Sequence, residues 1–197
     1  MLLEKPFHKP VSDGAAERTS ASVNSSAMST LLQAAETLGA DIPHLLRDIG
    51  LEPSDLFDGD RRYPVAMLLD LYERVAQCTN TPDIGLYVGR IDYIGRLNLQ
   101  LYACSACRTF REYLNVMPSV LKIVGDIGEV KVRREAQFLC LDWQPLAPET
   151  AAQRYLSDSS LGVAAAIVNS VCVRPIPVRA AHFSYPKPPD ISLLTQQ

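Results

Sequence analysis

The chain is short of the residues from which most enzymes and metal sites are built. Its 197 residues include three histidines, His8, His44 and His182, and a single tryptophan, Trp143. No G-x-S-x-G, no H-E-x-x-H, no phosphate-cradling glycine loop and no paired Cys/His spacing occurs. Nucleophilic, metal-hydrolytic and phosphoryl-transfer chemistry therefore lack their usual starting points, and the chain reads as a non-enzyme. Positive charge is scarce as well. A net charge of -3 and a pI near 5.6 provide no basic field to gather phosphates, which argues against nucleic-acid binding by this chain itself. The longest apolar run, Leu161 to Val173, is broken by Asn169 and Ser170 and falls short of the ~18 residues of a membrane span. The five cysteines, at 78, 104, 107, 140 and 172, are odd in number and sit in apolar or helical surroundings, the usage of a reducing cytoplasm rather than of a disulfide framework.

What is present is helical patterning. Thr109 opens a T-x-x-E capping box: its hydroxyl is placed to accept from the Glu112 N–H, and the Glu112 carboxylate to reach back to the N–H of Thr109. From there Phe110, Tyr113, Leu114, Met117, Val120, Leu121 and Val124 form one apolar stripe, and Pro118 predicts a kink or a split in the helix that carries it. Upstream, residues 1–27 are serine-rich without apolar periodicity and read as a disordered tail. Thr30 with Gln33 predicts a helix over residues 31–38 closed by Gly39. Asp41 and Pro43 open a second helix ending at Gly50, and Pro53 to Phe57 makes a short turn. Between Leu31 and Asp60, Glu36, Asp41, Asp48, Glu52, Asp55, Asp58 and Asp60 face one base, Arg47, so this helical hairpin is packed structure and not a DNA reader. Pro64 opens a further helix on Val65, Leu68, Leu69, Tyr72, Val75 and Ala76. Thr81-Pro82 opens another over 84–90, where Gly85 and Gly89 predict close approach of a neighbouring helix.

After Gly125 the period changes to two. Val130 and Val132, a turn at 135–137, and Phe138 to Trp143 predict a β-hairpin with both faces at least half covered. A long helix over about 150–173 and a last strand over 178–185 follow. These elements predict an α+β fold, an amino-terminal cluster of short helices plus an antiparallel sheet packed against two longer helices.

Gly95, Leu97, Tyr102-Ala103 and Thr109-Phe110-Arg111-Glu112 with Leu114 fall in the order of a G-x-L, Y-A, T-L-R-E-x-L segment. That segment resembles one branch of AraC-type transcription regulators, in the amino-terminal domain often labelled arabinose-binding-like. Residues 32–60 are similar to its opening helices, and 174–190 to its closing P-x-x-V-x-F-x-H-P-x-P segment. Arg108 stands where a proline is usual, Tyr185-Pro186 where His-Pro is usual, and Asn98 and Leu101 replace glycines. The resemblance implies an effector-sensing and dimerisation domain over 28–190, with 191–197 beginning a continuation that is cut short. Its implied partners are a small-molecule effector and a second copy of the chain, with DNA contacted only through a carboxy-terminal domain that would follow residue 197. No cofactor and no membrane enter this reading.

The layout further suggests a pocket between sheet and helices, with Arg96, Tyr102, Trp143, Arg154 and Tyr155 as candidate polar contacts. Against these stand plainer roles, a solvated helix residue for Arg154 and packing for Trp143. His182 reads as a strand residue with a conceivable ligand contact. The sharpest chemical feature is Cys104-Ser-Ala-Cys107, which supports an alternative function as a redox or metal sensor. Strict alternation of Leu97, Leu99, Leu101 and Ala103 would supply the strand a thioredoxin-like motif needs, and Cys140, Cys172 or His182 the remaining metal ligands. The competing reading is two small thiols on one helical face. A pure dimerisation module without effector is the third possibility.

Overall fold

The computed structural model describes residues 21–58, 61–95, 99–146, 151–171, 174 and 176–186, and for 91–95, 99–101 and 168–171 the backbone alone. Seven helices and two two-stranded antiparallel sheets make up these residues, the α+β class that the patterning predicts. Order begins earlier than residue 28. Strand β1 (Ser22–Asn24) pairs with β2 (Arg62–Pro64), and Val23, fully buried, also bridges to Gly125. Asp126 fixes this junction, its carboxylate accepting from the Ser22 N–H at 3.1 Å.

Helix α1 (Ser25–Thr37) starts six residues before the predicted Leu31. Asn24, not Thr30, is its cap, accepting from the Ala27 N–H at 3.3 Å. Thr30 lies buried inside the helix and donates back to the Ser26 carbonyl at 2.9 Å, the usual fate of a mid-helix threonine. Helix α2 (Ile42–Asp48) carries the predicted Asp41 cap, which accepts from His44 N–H at 3.0 Å, and Gly39 and Gly50 take the left-handed conformations that end the two helices. A 3-10 turn over Pro53–Leu56 leads to β2 and to α3 (Val65–Cys78), whose buried side chains include all six of the predicted inner face.

Helix α4 (Ile84–Gly95) is followed by α5 (Leu99–Ser105), so Leu99, Leu101 and Ala103 of the alternating set belong to a helix and not to a strand, while Leu97 lies outside the described residues. Helix α6 (Phe110–Val124) begins at Thr109 as predicted and runs through Pro118 as one helix. Its capping box is shifted by one residue. Thr109 Oγ1 accepts from Glu112 N–H at 3.2 Å, but the Glu112 carboxylate accepts from Arg108 N–H at 2.8 Å.

Strands β3 (Gly128–Glu135) and β4 (Phe138–Pro145) form the predicted hairpin, with Val130 opposite Trp143 and Val132 opposite Leu141. Only its open end lies over α6 and over α7 (Gln153–Val171). The turn end projects past them, leaving Phe138 46 % and Leu139 45 % exposed, which corrects the expectation of covered faces. The predicted last strand is also absent from the described residues: 176–183 pair with no sheet and are mostly exposed, since Pro177 has no N–H to donate and no strand runs alongside. Residues 1–20 and 187–197, which include most of the predicted tail and all of the predicted continuation, lie outside the described residues.

Two apolar clusters result. The first gathers α1, α2, α3 and the start of α4; the second gathers α5, α6 and the inner face of the hairpin. Helix α7 serves both, with Leu156, and Ala152 just ahead of its start, in the first and Val163 and Ile167 in the second. It is held to α4 by glycine. Cβ atoms built on Gly85 and Gly89 would strike backbone of Tyr155 and of Ser159, so the two helices touch main chain to main chain and run in the same direction.

Candidate functional site

Where the two clusters meet there is a cavity of about 300 Å³. Helices α1, α3, α6 and α7 and the hairpin each contribute wall, largely aliphatic: Leu68, Met117, Leu121, Leu141, Leu156 and Val163 are typical. Among the described residues no Asp, Glu, Lys, Arg or His lines it. The size and apolar lining match small-molecule sites, which also need a few placed polar groups.

Trp143 supplies one such group. Its indole lines the cavity and packs against Gly128, where a Cβ would collide with the ring. The Nε1–H is buried and has no hydrogen-bond partner among the described residues. An unpaired buried donor costs roughly 1–3 kcal/mol, so it is a feature to be explained. Ser159 and Ser160 of α7 add hydroxyls to the opposite wall. Asn24, Ser26 and Thr30 also reach the lining, but the Asn24 Oδ1 and the two hydroxyls are engaged around the start of α1: Ser26 Oγ donates to Asn24 Oδ1 at 2.6 Å, and Thr30 Oγ1 to the Ser26 carbonyl. Tyr72, another wall residue, is backed by Tyr155 in a stack with ring centroids 5.8 Å apart.

One turn away on α7 lies a charged cluster. Asp158, fully buried, accepts from Arg154 Nε at 3.2 Å and from the hydroxyl of Tyr185, while Arg154 also pairs with Asp83 of the loop before α4. The guanidinium sits 5.1 Å from the centre of the Tyr185 ring. Burial pushes the Asp158 carboxyl above its ordinary range, and the Tyr185 and Arg154 bonds oppose that push without cancelling it. Burial, helped by the bond to Asp158, raises the Tyr185 hydroxyl. The segment over 176–186 is thereby tied to α7 through one tyrosine.

Of the candidate residues, Trp143 lies in the cavity wall, Tyr155 stands directly behind it, and Arg154 belongs to the Asp158 cluster. Tyr102 is 69 % exposed, because α5 turns Cys104 rather than Tyr102 inward. Arg96 lies outside the described residues. Cys104 is buried in the second cluster and Cys107 half-buried, its thiol donating to the Ala103 carbonyl at 3.2 Å. Cys104 sits in the last turn of α5 and Cys107 just beyond its end, so neither thiol lies in the first turn of a helix, the place that activates a redox thiol. Cys172 lies outside the described residues, His182 is exposed, and no group of three or more His, Cys, Asp or Glu is placed to hold a metal among the described residues.

Sequence reasoning missed the Asp158 cluster and the α1 wall. Arg154 and Asp158 do stand four apart on one helix, a visible signal, but their third partner is 27 residues away at Tyr185.

Among the described residues no helix is long and apolar enough to cross a membrane. No curated protein matches the chain. A family model does, described as the arabinose-binding domain of AraC transcription regulator, N-term, and it aligns with residues 39–195. With most of its length inside that match, and with the α+β architecture and segment order described above, the chain belongs to the family of amino-terminal arabinose-binding domains of AraC transcription regulators.

Proposed function

We propose that this chain is the effector-sensing regulatory domain of an AraC-type regulator, that its effector occupies the cavity between the two apolar clusters, and that it performs no catalysis. The observation that carries this reading is the double membership of α7. The same helix walls the cavity through Leu156, Ser159 and Val163 and holds the 176–186 segment through Asp158. An effector that prefers one placement of α7 would alter the grip on that segment, and with it the presentation of the DNA-reading half that regulators of this kind carry. The response can be no larger than the difference in effector affinity between the two placements. In this reading the working domain runs from β1 to about residue 190, the protein acts in the cytoplasm as a homodimer, and the outer face of α6, which exposes Val116 and Ile123, supplies the contact.

The test is a thermal-unfolding screen of the chain against sugars, carboxylates and neutral apolar compounds, since a ligand that binds only the folded state raises the midpoint. A saturable rise accompanied by altered proteolysis within 176–186 supports sensing. A chain that stays monomeric at all concentrations in sedimentation overturns the dimer, and one that no compound stabilises overturns the sensor. No observation at Cys104 or Cys107 favours the thiol or metal sensor.

A further inference from the structure

The chemistry of the cavity wall narrows its ligand to a class that the family's description does not name. We propose that the cavity takes a neutral, largely apolar molecule bearing one hydrogen-bond acceptor, which the Trp143 Nε1–H receives, and that it rejects both sugars and carboxylates. This rests on the reading of the cavity as the effector site.

Three observations carry it. First, among the described residues no side chain of Asp, Glu, Lys, Arg or His lines the space, so an ionised ligand would leave water without a counter-charge, which is strongly unfavourable. Second, a sugar the size of a pentose presents hydroxyls on every side, each needing a partner once buried. Here the Asn24 Oδ1 and the Ser26 and Thr30 hydroxyls are already bonded around the start of α1, and besides Trp143 the Ser159 and Ser160 hydroxyls stand in a wall that is otherwise chiefly aliphatic, too few groups to serve hydroxyls on every side. Third, the indole N–H is a donor shut away from water with no partner among the described residues, on a ring packed against Gly128. An acceptor such as a ketone, ester or lactone oxygen satisfies that donor while its hydrocarbon part covers Met117, Leu121 and Leu156. A volume of about 300 Å³ equals roughly ten liquid waters, room for a short-chain compound of this kind.

Because Trp143 is the chain's single tryptophan, its emission reports on the cavity without labels. The probes are 2-nonanone, octanoate at neutral pH and L-arabinose, each titrated into the whole chain with emission and thermal midpoint recorded. The expected result is a saturable shift in both with 2-nonanone and none with the other two. Trp143→Phe keeps an aromatic, though smaller, side chain and removes the donor, and should bind 2-nonanone about tenfold more weakly by calorimetry, the effect of one buried hydrogen bond. Ala164→Leu, which fills the cavity and leaves Trp143 in place, should abolish the emission shift; it guards against a Trp143→Phe chain that fails to fold. Saturable binding of octanoate or L-arabinose without 2-nonanone overturns the ligand class and leaves the sensing role standing. Equal affinity of wild type and Trp143→Phe overturns the role of the indole. Failure of all three probes overturns the class and the site together.

Discussion

The contact between α4 and α7 makes a prediction in which two chemically identical substitutions have opposite signs. Gly89→Ala and Gly162→Ala each remove a flexible glycine from a helix interior, worth about 1 kcal/mol of helix propensity. At Gly162 a new Cβ would lie 3.4 Å from Gly89 Cα and 3.6 Å from the Leu86 carbonyl oxygen, ordinary contact distances. Gly162→Ala should therefore be neutral or more stable by up to ~1 kcal/mol. At Gly89 the Cβ would lie 2.7 Å from the Ser159 carbonyl oxygen, 3.1 Å from Gly162 Cα and 3.2 Å from Val163 N. All three are main-chain atoms, which cannot rotate away, so the helices must part. Overpacking of a core costs ~1–3 kcal/mol, and immovable neighbours put this site at the upper end. After the propensity gain the net loss is about 2 kcal/mol, or ~4–8 °C in Tm for a chain of this size. Urea unfolding followed by circular dichroism, with unchanged m-value, measures both variants. A Gly89→Ala protein as stable as wild type, or a Gly162→Ala protein that loses as much as Gly89→Ala, would refute the argument from main-chain contact.

The caps give a second prediction: Thr109→Ala and Asn24→Ala should each lose about 1 kcal/mol in denaturant unfolding, because each removes the oxygen that holds a first-turn N–H. Tyr185→Phe should cost about 2 kcal/mol, the usual worth of a hydrogen bond to a buried carboxylate, and should speed protease cleavage within 176–186; unchanged cleavage would mean that the segment is held by other contacts. Since burial raises the Asp158 carboxyl, the folded chain keeps its proton to higher pH than the unfolded chain, whose value is near 3.8. Stability from this group therefore falls as pH climbs from about 3.8 through the raised value, and Asp158→Asn should flatten that part of the stability–pH curve. A slope identical to wild type would place the titration elsewhere.

Much of this fold is legible in the sequence because its signals are local. The stripe from Tyr113 to Leu121, the Asp41 and Thr109 caps, the alternation around Val130 and Trp143, and the spacing of Gly85 and Gly89 all act within a few residues of themselves. What escapes is non-local. In β1 a single apolar residue, Val23, is ordered by Tyr63 opposite and by Gly125 across the bridge, and no periodicity announces a three-residue strand. Thr30 carried a convincing capping signature, yet Asn24 had already started the helix once β1 was in place. The cavity obeys the same rule. Its residues read as core because each is apolar and periodic, and only the meeting of two clusters leaves space between them.

Main chain resting on main chain at Gly85 and Gly89 has a mechanical meaning. Side chains that interdigitate can slide by changing rotamer, whereas bare backbones offer no such compliance, so α4 and α7 should travel as one slab. Any internal rearrangement then has its hinge elsewhere, along the border that the slab shares with α6 and the hairpin, where flexible Met117 supplies the softest joint.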